Sequence, residues 1–311
     1  MSELLGQGEE FAALLAAAHA LRLPHALVFE GAPGTGKTTA AFALAEALLA
    51  GPDDAAARKQ VRARSHLDLH LLGVREGKVE IKVEDVRELQ AALAAHSYGG
   101  RARVAIIDPG DRLNEEGQNA LLKTLEEPGA ATFLLLTASR PEGLLPTVRS
   151  RVMRYRLRPL AEADLAAALA ATRPDAAPDL RTWAVELAAG ALGFAQDLVD
   201  DPAARPLHAR LLAVVEGRDD DVHGIVDACL DDVTGRDAER ARARLVLRLL
   251  RAILRREVAL AHAGGAAYGS AALDRWIESC ERTFEAEIDL HQHVPAAQVL
   301  LGLLLDLVAP V

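Results

Sequence analysis

The stretch GAPGTGKTT, residues 31–39, sets Gly31, Gly34, Gly36, Lys37, Thr38 and Thr39 in a G-x-x-x-x-G-K-[ST] pattern. Glycines at these positions let the main chain curl so that its N–H groups converge on phosphate oxygens, and a following helix N-terminus adds a dipole that favours anions. Lys37 is placed to reach β- and γ-phosphates, and the Thr38 hydroxyl to ligate magnesium. The bland alternative is a glycine-rich turn without a ligand. It fits less well, because ALVFE reads as a strand before the loop and TTAAFALAEALLA as a helix after it.

Magnesium held at such a loop needs a carboxylate opposite, at the end of a second strand. In RVAIIDPGDRLN, residues 103–114, Asp108 closes an apolar run and fits that position. A hydrolysing P-loop enzyme of the AAA+ class usually carries a glutamate at the next residue to orient and deprotonate water; here that residue is Pro109, which has no proton acceptor. Asp111 follows after a Pro-Gly turn. Whether it substitutes as a base stays open at this level, although catalytic geometry tolerates little displacement.

These residues need a scaffold, and the composition suggests which. The 311-residue chain exceeds ordinary single-domain size, so two or three compact units are expected. Alanine- and leucine-rich runs with few aromatics favour helices. Between the start and about Leu157, the apolar runs HALVFEG, LDLHLL, ARVAIID and TFLLLTA alternate with helical segments, which predicts a parallel sheet covered on both faces. Helical periodicity then takes over, from AEADLAAALAAT to GFAQDLVDD, and a longer all-helical region follows DDPAARP. The expected fold is therefore α/β plus all-α, with boundaries at 1–157, 158–201 and 202–311.

The formal net charge of −10 argues against a free-standing nucleic-acid binder. No apolar run reaches the ~20 residues needed to cross a bilayer, and the N-terminus lacks a signal-peptide pattern, so a cytoplasmic protein with no membrane partner is expected. Cys229 and Cys280 form neither a disulfide framework nor a metal cluster and read as buried free thiols.

The segments RLNEEGQNALLKTLEEP (112–128) and TFLLLTASRPEGLLPTVRSRV (132–152) closely resemble the clamp-loader branch of the AAA+ ATPases. The resemblance is dense through the N-terminal half, including IKVEDVRELQAAL. It thins after Leu160, where it rests on AAGALGFAQDL and LHQHVPAAQVLLGLLLDL. It implies an AAA+ P-loop domain, a small helical lid and a C-terminal helical collar through which subunits oligomerise. It implies ATP or ADP with magnesium at Gly31, Gly34, Gly36, Lys37, Thr38, Thr39, Asp108 and Thr137, the metal being held by Thr38 and Asp108. Thr137 matches sensor 1, a polar group near the γ-phosphate; an ordinary strand-end threonine is the equal alternative. Arg151 matches an arginine finger given in trans to a neighbouring subunit, with Val152 replacing the family's cysteine. A solvated arginine on a basic face is the alternative there.

Departures from the family pattern sharpen what is implied. Residues 51–66 lack the four cysteines of the family's zinc module, so no zinc is expected. Gly193, Phe194 and Ala195 offer no cation where hydrolysing relatives carry a sensor 2 arginine. With Pro109, this favours the non-motor subunit of a DNA polymerase III loader over its gamma/tau motor. The implied partners are gamma/tau and delta subunits, the sliding clamp, and primed DNA reached through the assembly. RARLVLRLLRAILRREVALA (242–261) reads as a core helix with a solvated face, a DNA-facing stripe being the weaker reading. An autonomous ATPase and a scaffold that never binds nucleotide remain as other classes.

Overall fold

The computed structural model describes residues 6–51, 53–75, 78, 80–94, 98–265, 269–291 and 294–308. Residues 266–268 in AHAGGAAYGS and 292–293 in LHQHVPAAQ lie outside them, as do the first five. The chain divides into two compact units, Met1–Thr172 with Ala189–Gly193, and Arg173–Ala188 with Phe194–Val311.

In the first unit, α1 (Gly8–His19), β1 (Ala26–Glu30), α2 (Lys37–Leu49) and α3 (Ala55–Arg62) precede β2 (Leu69–Leu72), α4 (Val83–Ala94), β3 (Arg103–Ile107) and α5 (Glu115–Glu126). Then come β4 (Thr132–Ala138), α6 (Pro146–Arg149), β5 (Met153–Arg156) and α7 (Glu162–Thr172). All five strands are parallel, in the order β2-β3-β4-β1-β5. The two faces bury alternate residues of the central strands β1, β3 and β4. Leu27, Phe29, Val104, Ile106, Phe133 and Leu135 pack with α1 and α2. Val28, Ala105, Ile107, Leu134 and Leu136 pack with α4 and α5 on the other side. Burial on both faces is why these strands read as continuous apolar runs.

The expected helix over NEEGQNALLKTLEEP is α5. Its Asn114 carboxamide oxygen accepts from Gly117 N at 2.8 Å, an N-cap that fixes where the helix starts. Leu121 and Leu125 are buried and Leu122 packs against the same core, the single apolar face that their spacing predicts. A fifth strand was not among the expected elements. β5 lies at the sheet edge, and its sequence MRYR buries only Tyr155, so charged neighbours hide the strand signal.

The second unit contains α8 (Pro178–Ala188), the part of α9 (Leu192–Asp200) from Phe194 on, α10 (Ala204–Val215), α11 (Val222–Leu230), α12 (Arg236–Ala263), α13 (Ala271–His291) and α14 (Ala296–Val308). Arginines of α12 form ion pairs inside this unit. Arg242 pairs with Asp201 and Asp232, Arg248 with Asp197, and Arg251 with Glu287 while donating to Thr283. Leu247, Leu250 and Leu254 are buried, as expected for a core helix. No helix among the described residues is long and apolar enough to cross a membrane.

Candidate functional site

The glycine-rich loop joins the buried strand β1 to α2. Gly34 and Gly36 have φ of +83° and +89°, a left-handed backbone that L side chains rarely adopt, so glycine is required for the curl. Lys37 opens the helix and is 9% exposed; its Nζ donates to the carbonyl oxygens of Gly31 at 2.9 Å and Ala32 at 2.8 Å. Burial lowers its pKa, while the charges of Asp111 and Asp108 pull it back up. A cation is thus held where phosphate oxygens would meet main-chain N–H groups.

Asp108 follows the last residue of β3. Its Oδ2 accepts the Thr38 hydroxyl at 2.7 Å and its Oδ1 accepts the Thr137 hydroxyl at 2.5 Å. Thr137 is fully buried on β4, so the sheet itself sets the spacing of loop, carboxylate and hydroxyl. The structure therefore brings Lys37, Thr38, Asp108 and Thr137 together. Thr38 and Thr39 also line a groove of about 860 Å³ among α1, α2 and α3. Among the described residues no cluster of three or more His, Cys, Asp or Glu could hold a metal by itself. A hydroxyl beside a carboxylate is the donor set that suits magnesium arriving with a nucleotide, because oxygen ligands from the phosphates complete the shell.

Pro109 stands directly after Asp108, joined through a cis peptide bond. One oxygen of the Asp111 carboxylate is taken by main-chain donors, its Oδ2 accepting the N–H groups of Ser139 at 3.0 Å and Arg140 at 2.7 Å. It caps the end of β4 while lending negative potential to Lys37. That arrangement favours a structural carboxylate over a water-activating one.

Arg151 lies beyond α6. Its Nε and a terminal nitrogen reach Glu126 Oε1 at 2.9 and 2.6 Å, and Nη1 donates to Thr147 O at 3.0 Å. The side chains are 37% and 52% exposed, so the finger candidate sits in a surface ion pair within its own chain.

Two features are not anticipated by the sequence patterns. Gln118, 3% exposed, donates to Leu113 O and Gly143 O at 3.0 Å each and accepts from Leu145 N at 2.6 Å, fastening α5 to the segment before α6. Its spacing of three and seven residues from Leu121 and Leu125 on the buried face was the available signal. Glu30, 4% exposed, receives a two-pronged bond from Arg154 at 2.6 and 2.9 Å, tying β5 to β1. In the second unit Phe194 is buried, with the Arg248 guanidinium 4.2 Å from its ring centre.

A parallel sheet in the order β2-β3-β4-β1-β5, with the glycine loop after β1 and the acid after β3, defines an AAA+ P-loop fold. The chain belongs to the family described as DNA polymerase III, delta subunit, which it matches over residues 6–161. It is 34% identical over 157 residues to DNA polymerase III subunit delta' of Escherichia coli K12, covering 48% of this chain and 47% of that protein. It is 34% identical over 145 residues to the Bacillus subtilis delta' subunit, covering 45% and 44%. A Mycobacterium bovis gamma/tau subunit is 33% identical over 178 residues, 54% of this chain and 30% of the relative. The chain thus matches about half the length or less of these curated relatives. A DNA polymerase III gamma subunit-related protein from Thermotoga maritima superposes with a TM-score of 0.52 at 16% identity, over 95% of this chain and 98% of that one, a likeness of fold.

Proposed function

We propose that the chain is a delta-prime-like subunit of a DNA polymerase III clamp loader. On this reading residues 1–157 form the nucleotide-binding module, 158–201 the lid and 202–311 the collar. The assembly, with gamma/tau and delta partners, opens the sliding clamp and places it on primed DNA using ATP.

ATP or ADP with magnesium is held by the 31–39 loop, Lys37, Thr38 and Asp108, with Thr137 orienting Asp108. Nucleotide that binds the folded form stabilises it without turnover. The observation that carries the reading is a division of labour around Asp108. The side chains that would hold phosphate and magnesium lie together, while Pro109 stands where a hydrolytic glutamate would and Asp111 Oδ2 accepts main-chain N–H groups. The chain's contribution to hydrolysis is then Arg151, a planar cation offered to the active site of a neighbouring motor subunit.

The test is ATP hydrolysis by the reconstituted loader with wild-type or Arg151→Ala protein. Loss of about 10³-fold or more at the adjoining site is expected for a missing finger. Undiminished stimulated hydrolysis would remove the role in trans. A gamma/tau-like motor is the second reading, favoured by the 33% identity to gamma/tau. It requires motor-like turnover by the chain alone.

A further inference from the structure

Helix α5 ends in Leu125 and Glu126, with Glu127 as its C-cap ahead of Pro128. Two carboxylates in this place oppose the negative end of the helix dipole, so they need a local reason. For Glu126 the structure supplies one: its Oε1 receives both Nε and a terminal nitrogen of Arg151. The remaining terminal nitrogen of Arg151 donates to Thr147 O. Every nitrogen of the guanidinium is thereby directed at its own chain. The end of α5 is itself pinned, because His25 on the approach to β1 meets Leu125 O at 2.8 Å. Glu126 is thus presented from a fixed helix end to an arginine beyond a short, separately anchored segment.

We propose that Glu126 is a latch for Arg151, holding the guanidinium parked until a neighbouring triphosphate competes it away. This rests on the finger reading of Arg151. The latch is built to open. Both side chains are substantially exposed, so the pair contributes only what a surface ion pair can, and a phosphate accepts the same donors with more charge. Glu126 therefore acts through Arg151 as a positioning residue, setting how readily the finger is donated. It also keeps an otherwise bare guanidinium neutralised before assembly.

The test compares wild-type protein, Glu126→Gln, Arg151→Ala and the double variant in the reconstituted loader. ATP is titrated at low and high salt. Removing the competing carboxylate lowers the ATP concentration for half-maximal stimulated hydrolysis about two- to fivefold at low salt, the factor that a surface ion pair supplies. The difference shrinks at high salt, because exposed charges are screened, whereas a purely structural effect would persist. In the free chain, the Arg151 Nε–H resonance moves and exchanges faster with water in Glu126→Gln. If Arg151→Ala abolishes stimulation but Glu126→Gln matches wild type at both salt levels, the latch is overturned while the finger stands. Lowered stimulation in Glu126→Gln also overturns the latch. If Arg151→Ala leaves stimulation intact, the finger reading falls and takes the latch with it.

Discussion

The buried hydroxyl of Thr137 donates to Asp108 Oδ1 at 2.5 Å, so one strand end aims the carboxylate of the strand beside it. The other oxygen of that carboxylate meets Thr38 at the start of α2. Asp108 thus links the 31–39 loop to β4 through a single side chain. Thr137→Val keeps shape and strand propensity but removes the donor. It should destabilise the fold by about 1–2 kcal/mol. It should also shrink the rise in melting temperature given by ATP and magnesium, as read by thermal denaturation with and without ligand. An unchanged ligand-dependent rise would make Thr137 an ordinary strand-end residue.

Asp111 separates capping from catalysis. Asp111→Ala leaves the N–H groups of Ser139 and Arg140 without their acceptor, so a loss of about 2 kcal/mol is expected in denaturant unfolding. Any residual ATP turnover by the isolated chain should be the same as wild type. A variant that is fully stable but loses a measurable turnover would assign Asp111 to water activation instead.

The tie between β5 and β1 is asymmetric, since Glu30 is buried while Arg154 is about half exposed. Arg154→Ala strands a carboxylate in the interior, and the melting temperature should fall. Adding Glu30→Gln should restore part of the loss, because a neutral amide needs less compensation than a lone charge. Calorimetry of the two single variants and the double variant checks the sign of this coupling.

Cys229 is fully buried, and desolvation pushes its thiol from 9.0 up to about 11. The folded chain keeps this proton at a pH where the unfolded chain has released it. Its contribution to stability is therefore present below pH 9 and is lost as pH rises toward 11. At about pH 8, alkylation of Cys229 should be much slower in the native protein than in denaturant, as measured by mass spectrometry. Equal rates would contradict the buried thiol.

The parts of this structure that were legible in the sequence share a local cause. Strands β1, β3 and β4 are apolar on both faces, and the residues of the loop and Asp108 lie at ends that such runs define. Their order in the sheet is not a local property, and no run or periodicity records it. β5 was missed because this edge strand, MRYR, carries arginines on its exposed side, whereas the other edge strand, β2, keeps the apolar LHLL. The Glu30–Arg154 tie spans 124 residues and the Arg151–Glu126 pair spans 25, and no periodicity records which charge meets which. Gln118 was within reach: a polar residue at helical spacing on an apolar face must find partners, and here it finds three main-chain groups. Whether Asp111 serves as a base stays open in the sequence, and its acceptor role required seeing the end of β4.

The proposed function requires that this chain grip a triphosphate without splitting it. The direct measurement is to mix excess purified protein with γ-labelled ATP and magnesium, then follow retained label and released phosphate over time. Nucleotide should stay bound and intact in the wild type, with retention lost in Lys37→Ala. Phosphate released at a motor-like rate, or no retention by the wild type at all, would contradict a subunit that binds ATP and leaves its hydrolysis to a neighbour.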